Sequence, residues 1–107
     1  MGLHSSYVRE MVRKNNIIIS KHAFEKIEER GIWLDDVFKA IEQGEEIEIQ
    51  NFGPGKDIRV VFQEATDEEP NFYVIVATSY PTVDIVSVCR FKEECWEYLG
   101  KTKKRRK

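Results

Sequence analysis

Helical spacing of apolar side chains dominates the first 44 residues of the chain. Apolar positions repeat with this spacing in three segments, residues 5–14, 20–30 and 35–43. Ser20 is a favourable N-cap for the second segment, since its hydroxyl accepts a hydrogen bond from the first turn. Gly31 ends the second segment, because glycine readily takes the left-handed conformation that follows many helices. Gly44 closes the third, so the pattern predicts three helices.

After Gly44 the spacing changes to alternation of period two, which is typical of strands. Four segments are predicted as strands, residues 46–50, 57–64, 72–79 and 83–90. They are separated by loops that contain proline, two of which also carry glycine or acidic residues. Residues 92–99 have the spacing of a short helix that lays Cys95, Trp96 and Leu99 on the sheet. The three isoleucines at 17–19 are too few for a free-standing strand and are interpreted as a buried lead-in.

Helices followed by a run of strands indicate an α+β fold. We expect N-terminal helices packed on a four-stranded antiparallel sheet, with a short C-terminal helix. The 107 residues suffice for one core. The predicted organisation is an N-terminal helix over residues 1–16, a single domain over 17–100 and a basic, disordered tail over 101–107.

Charge is distributed unevenly along the chain. Six of the last seven residues are basic, and the other 11 basic residues oppose all 19 acids, which leaves residues 1–100 with a net charge of −8. Two interpretations of the tail are open. A basic segment binds nucleic acid by displacing counterions from phosphates, whereas many charged chain ends are solvated and disordered.

The sequence shows no signature of a metal site, a membrane helix or a signal peptide. Cys89 and Cys95 are six residues apart without a nearby histidine, which is not zinc spacing, so we expect no metal and no cofactor. The longest aliphatic run is three residues, far below the ~20 that a membrane helix needs. The first residues lack an apolar signal core, which predicts a cytoplasmic protein with no membrane partner.

The segments 19–23 and 30–32 read Ile-Ser-Lys-His-Ala and Arg-Gly-Ile, and this pairing resembles the bacterial family called domain of unknown function 4258. The arginine-bearing strand around Arg59 and the Trp96-Glu97 pair extend the resemblance. It implies the RelE/ParE-like fold of the toxins of toxin–antitoxin systems. On this resemblance we expect a toxin-like ribonuclease that acts on RNA, or a module descended from one, with a small zinc-finger antitoxin as its partner.

Candidate chemistry begins on the second helix. Metal-independent RNA cleavage needs a base for the 2′-hydroxyl, a cation for the phosphorane and an acid for the leaving oxygen. His22, Lys26 and Arg30 are spaced i, i+4 and i+8, so they follow one helical face. His22 and Arg30 are the predicted catalytic residues there, and Lys26 is a predicted phosphate contact. The alternatives are that His22 caps or packs, and that Lys26 and Arg30 pair with nearby glutamates.

The predicted strands carry a second set of candidates. Arg59 shares a strand face with Val61 and Gln63, so we expect it to be partly covered. A covered arginine needs a carboxylate or a substrate phosphate as a partner, and Arg59 is the third predicted catalytic residue. Lys56, Arg90 and Tyr80 stand at strand or loop ends and are predicted to bind substrate. The alternative for each is structural, because cations and aromatic rings are common at strand ends.

Two functions of different classes fit these residues. The first is a metal-independent endoribonuclease of a toxin–antitoxin system. The second is a non-catalytic module of the same fold that binds a partner protein, which the acidic body and Lys26 in place of the family's frequent arginine favour. A nuclease should gather Lys26, Arg30, Arg59 and Arg90 around one cleft, whereas an interaction module should disperse them among its acids. A weaker third hypothesis assigns nucleic-acid binding to the tail alone.

Overall fold

Over residues 2–106, the computed structural model has three helices and two sheets. The elements are α1 (Leu3–Arg13), β1 (Ile17–Ile19), α2 (Lys21–Glu29), α3 (Leu34–Gln43), β2 (Glu46–Gln50), β3 (Arg59–Gln63), β4 (Phe72–Ala77), β5 (Val83–Arg90), β6 (Trp96–Tyr98) and β7 (Lys103–Arg105). Ser20 caps α2 as predicted, since its Oγ accepts from the amide of Ala23 at 3.0 Å. Gly31 follows α2 with a φ of +65°. The α+β class is therefore correct.

The prediction of a four-stranded antiparallel sheet is wrong. The larger sheet has five strands in the order β1-β5-β4-β3-β2. Its four later strands pair antiparallel, but β1 pairs parallel with β5, placing Ile17 opposite Val83 and Ile19 opposite Ile85. The backbone groups of β1 satisfy the free edge of β5, and its β-branched side chains suit a pleated surface. Three residues carry too little alternation to reveal such a strand in the sequence.

The predicted C-terminal helix is also wrong, because residues 96–98 form β6, which pairs antiparallel with β7. Gly100, at a φ of +93°, allows the tight turn between the two strands. The rings of Trp96 and Tyr73 lie 5.1 Å apart and fix β6 on the larger sheet. Residues 103–105 form β7 where the sequence predicts a disordered tail. The last residue of that tail, 107, lies outside the described residues.

The core lies between the helices and one face of the larger sheet. Phe62 and Ile85 from the sheet and Val8, Val37 and Ile41 from the helices are fully buried. Burying each such side chain contributes about 1.5–3 kcal/mol. Because side chains alternate along a strand, the opposite face carries a separate set. We call it the outer face; it includes Arg59, Val61, Tyr73, Ile75, Ala77, Asp84 and Cys89.

Candidate nucleic-acid interface

A cavity of about 330 Å³ opens where the end of α2 meets the outer face and the β6–β7 hairpin. Its lining residues are Arg30, Tyr73, Cys89, Arg90, Lys92, Cys95, Trp96 and Arg105. Four of them are cations and none is acidic. We call this the cationic cavity. It concentrates positive charge at one place on a chain whose first 100 residues carry a net charge of −8.

Arg30 and Arg90 are held in the cationic cavity by backbone oxygens. Arg30 ends α2, and its Nη1 donates to the carbonyl oxygen of Val88 on β5. The Nη2 of Arg90 donates to the carbonyl oxygen of Arg30 at 2.7 Å. Within residues 2–106, Arg30, Arg90 and Lys92 form no ion pair with a carboxylate. Their charge therefore remains available to an anion such as a phosphate.

Arg105 has a different role from the other three cations. Its Nε and Nη2 donate to the two carboxylate oxygens of Glu48, each at 2.9 Å. Its guanidinium also lies 4.3 Å from the ring of Trp96. The hydrogen bond from Arg105 lowers the pKa of Glu48, and the same contact raises the pKa of Arg105. Arg105 thus fastens the hairpin to β2, and its charge is largely neutralised.

We expect Glu48→Gln to lower the free energy of unfolding at pH 7 by about 1 kcal/mol or less, because solvent screens a pair whose arginine is 45% exposed. The folded-state pKa of Glu48 lies below its ordinary value of 4.5. The pair therefore stabilises the fold above that value, and its contribution is lost as the pH falls through the folded-state pKa. Urea unfolding should show that the free energy of unfolding changes less between pH 7 and pH 3 in the variant than in the wild type. The exposed Glu94→Gln is the control and should match the wild type.

Tyr73 forms the inner wall of the cationic cavity. Its ring packs against those of Phe91 and Trp96, with centroids 4.9 and 5.1 Å away. Burial is the main cause that raises the pKa of Tyr73 to about 12, and the neighbouring Cys89 adds to it. The hydroxyl is therefore protonated at neutral pH and is a weaker acid than an ordinary tyrosine, and it can donate a hydrogen bond. The Sγ of Cys89 lies 3.1 Å from the Oγ of Ser87.

A second cavity, of about 560 Å³, lies at the other end of the outer face. We call it the far cavity; its lining residues are Phe52, Gly55, Lys56, Asp57, Arg59, Ala77, Asp84 and Val86. The guanidinium of Arg59 lies 5.1 Å from the ring of Phe52. On β4, Tyr73 lines the cationic cavity and Ala77 the far one. At ~3.3 Å per residue, the two cavities are about 13 Å apart along this strand.

The seven predicted site residues fall into three groups. Arg30 and Arg90 line the cationic cavity, and Lys56 and Arg59 line the far cavity. His22, Lys26 and Tyr80 line neither cavity. Eight residues of helix separate His22 from Arg30, so they lie about 12 Å apart along the axis of α2. Lys26 pairs with Glu29 at 3.5 Å, and Tyr80 is exposed before a cis proline.

Sequence reasoning did not assign Tyr73, Lys92 or Arg105 to a site. Tyr73 stands in an apolar strand, where alternation places it on the outer face but gives no sign of a cavity. Arg105 belongs to a basic run in which no position differs from its neighbours in charge. Lys92 lies in the turn between β5 and β6, where its carbonyl oxygen accepts from the amides of Cys95 and Trp96, whereas the sequence predicts a helix there. Only the fold of the last residues identifies these side chains as lining groups.

The fold and the cavities describe a small α+β domain that carries cationic side chains on the outer face of a mixed sheet. One family model, described as Domain of unknown function (DUF4258), matches residues 19–99. The chain belongs to this family, which confirms the resemblance seen in its helical motif. No curated protein and no solved structure matches the chain. The family description names no activity, so the likeness to RelE/ParE toxins stays a prediction.

Residues 2–106 offer neither a cluster of metal ligands nor a helix suited to a membrane. Within that range there is no group of three or more histidine, cysteine or acidic side chains placed to hold a metal ion. The helices there are also too short and too polar for any of them to cross a membrane.

Proposed function

We propose that the chain is a toxin-like endoribonuclease that cleaves RNA without a metal and holds the scissile phosphate in the cationic cavity. One observation carries this proposal. Arg30, Arg90 and Lys92 line a cavity without acidic lining residues, and none of them forms an ion pair within residues 2–106. Guanidinium groups bind phosphate oxygens in a fork, which makes arginine well suited to this ligand.

The reaction is an attack of the 2′-oxygen on the adjacent phosphorus, which breaks the bond to the 5′-oxygen. It yields a 2′,3′-cyclic phosphate and a 5′-hydroxyl, and it consumes neither water nor an oxidant. Arg30 and Arg90 stabilise the negative charge that builds up on the phosphorane. Tyr73 lines this cavity, and its hydroxyl supplies the proton to the leaving oxygen, which as an alkoxide is more basic than a phenolate. Cys89 and Cys95 are the lining groups that take the 2′-hydroxyl proton when they are in the thiolate form.

His22 is not included in this mechanism, because about 12 Å of helix separates it from Arg30. A single phosphate held by Arg30 is out of its reach. A catalytic role of His22 remains a prediction and is the alternative to catalysis in the cationic cavity. Comparing His22→Ala with a variant of the cavity distinguishes the two assignments.

The first test is tightly induced expression in a bacterial host, followed by growth, bulk translation and RNA integrity. We expect growth arrest and a fall in translation, because intact messenger or ribosomal RNA is lost. Purified protein should cut RNA, free or on ribosomes, in the presence of a metal chelator, and the fragments should end in 2′,3′-cyclic phosphate. Normal growth with abundant folded protein and uncut RNA would contradict the proposal.

A second candidate is the non-catalytic module that binds a partner protein. Two large apolar side chains at the starts of α1 and α3 support it, since Leu3 is 89% exposed and Trp33 is 77% exposed. The toxin resemblance implies a small zinc-finger antitoxin as the partner. A stable complex with a neighbouring gene product, together with intact RNA when the chain is expressed alone, favours this function over the nuclease.

A further inference from the structure

The far cavity is built around one row of residues that crosses three strands. Arg59 on β3 lies opposite Ala77 on β4, and Ala77 lies opposite Asp84 on β5. The two charged residues are therefore two strand spacings apart, about 10 Å between their Cα atoms. Ala77, whose side chain is a single methyl group and is 5% exposed, lies between them in this row. The row forms a slot with a cation on one side and a carboxylate on the other.

Both charged groups of this slot lack protein partners of opposite charge. Within residues 2–106, the half-buried Asp84 carboxylate has no ion pair and no side-chain hydrogen bond, and Arg59 has no ion pair. A partly covered carboxylate without donors loses hydration that a ligand's N–H groups can replace. The other charged lining residues, Lys56 and Asp57, are exposed on the loop. The slot thus offers donors and acceptors at fixed positions on the sheet.

Guanine matches this arrangement of donors and acceptors. Arginine donates in bidentate fashion to the O6 and N7 acceptors of guanine. A carboxylate accepts from its adjacent N1–H and N2–H groups, a pair of neighbouring donors that adenine, cytosine and uracil do not present. Phe52, 58% exposed and in contact with Arg59, adds an aromatic surface on which a base can stack. A slot with the guanidinium of Arg59 on one side, the carboxylate of Asp84 on the other and the small side chain of Ala77 between them fits one planar purine.

We propose that the far cavity binds an unpaired guanine of the RNA whose phosphate occupies the cationic cavity, an inference that rests on the proposed function. The guanine must be unpaired, because its Watson–Crick edge faces Asp84. The two cavities share the outer face and lie about 13 Å apart along β4. A single-stranded RNA bound along this face therefore reaches both cavities. The guanine is then a short distance along the RNA from the scissile phosphate.

The test measures binding of two 2′-O-methyl hexanucleotides, which cannot be cleaved by 2′-oxygen attack. One is all uridine and the other carries a single guanosine in the same background; fluorescence anisotropy gives both Kd values. We expect the wild type to bind the guanosine oligonucleotide about tenfold more tightly, the usual value of one bidentate base contact. Asp84→Asn should reduce this preference to less than about twofold. Asp67→Asn removes the same charge outside both cavities and should retain the preference.

A second variant and a second base report on the same slot. Phe52→Ala, on an exposed loop, should weaken both oligonucleotides by about tenfold through lost stacking. Inosine lacks the N2 amino group and should bind with intermediate affinity. Equal Kd values for the two oligonucleotides in the wild type would overturn the guanine site and leave the nuclease proposal standing. A preference that survives in Asp84→Asn would also overturn it. Failure to bind either oligonucleotide would contradict the proposed function itself.

Discussion

Arg30→Ala is expected to lower the rate of RNA cleavage about 100-fold or more. Removing one preorganised donor that stabilises developing negative charge typically has an effect of this size. Arg30 is such a preorganised donor, because α2 and the carbonyl oxygen of Val88 hold its guanidinium in the cationic cavity. Single-turnover cleavage of a labelled RNA measures the loss directly. In the bacterial host, the same variant should relieve growth arrest at matched protein levels.

Three further variants show whether the charge and its position cause this effect. Arg13→Ala removes an exposed cation from the last turn of α1, outside the cationic cavity, and should cleave like the wild type. Arg30→Lys keeps the charge without the fork and should recover part of the rate. His22→Ala should retain activity. Because Arg30 also contacts β5, the unfolding midpoint of each variant is measured in parallel. A folded Arg30→Ala protein that cleaves normally would exclude the cationic cavity as the phosphate site.

The helices and the strands β2–β5 could be predicted because each has enough residues to show its period. The strand β1 could not, since three isoleucines satisfy either a helix lead-in or a strand. Its pairing with β5 is set by contacts more than 60 residues away in the sequence. The spacing of residues 92–99 favours a helix, but the aromatic cluster of Trp96 with Tyr73 and Phe91 favours a strand. Tertiary packing overrides local spacing in both cases.

The candidate site was only partly accessible from the sequence for a related reason. The i, i+4, i+8 spacing correctly puts His22 and Arg30 on one helix, but a shared face does not imply a shared position. The length of α2 separates the two side chains by about 12 Å. Arg30 and Arg90 meet because α2 packs against β5, a contact that no local pattern encodes. The sequence named Arg30 and Arg90 as candidates, and their functional roles remain predictions; that they line one cavity is seen only in the fold.

The contrast between the acidic body and the basic tail has a structural explanation. Lys101, Lys103 and Arg105 pair with Glu45, Glu69 and Glu48, so three of the six tail cations neutralise acids of the body. The side chain of Gln63 reinforces this docking by bonding to the backbone at both 101 and 103. The basic and acidic residues that are separated in the sequence are therefore paired with each other in the fold. Because these three cations are paired with carboxylates, they count against the hypothesis that a free tail binds nucleic acid.

The largest expected effect on stability is that of Gly44→Ala, which should lower the free energy of unfolding by about 3 kcal/mol or more. Gly44 follows α3 and packs against β3. A Cβ built there lies 2.1 Å from the carbonyl oxygen of Gln63 and 2.5 Å from that of Ala40. Both oxygens belong to the backbone, so no side-chain rotation relieves the overlap. Moving Gly44 would also disturb its carbonyl oxygen, which accepts from Nη2 of Arg9 at 2.7 Å.

Gly31→Ala is the matched control, because Gly31 also follows a helix but has open space around it. Its cost arises only from the left-handed φ of +65° and should be about 1 kcal/mol. Urea unfolding of both variants at pH 7 gives the two values. A much larger loss in Gly44→Ala shows that the close approach of α3 to β3 requires glycine. Equal losses would mean that this approach relaxes without cost, and that Gly44 serves only to end the helix, as its place in the sequence suggests.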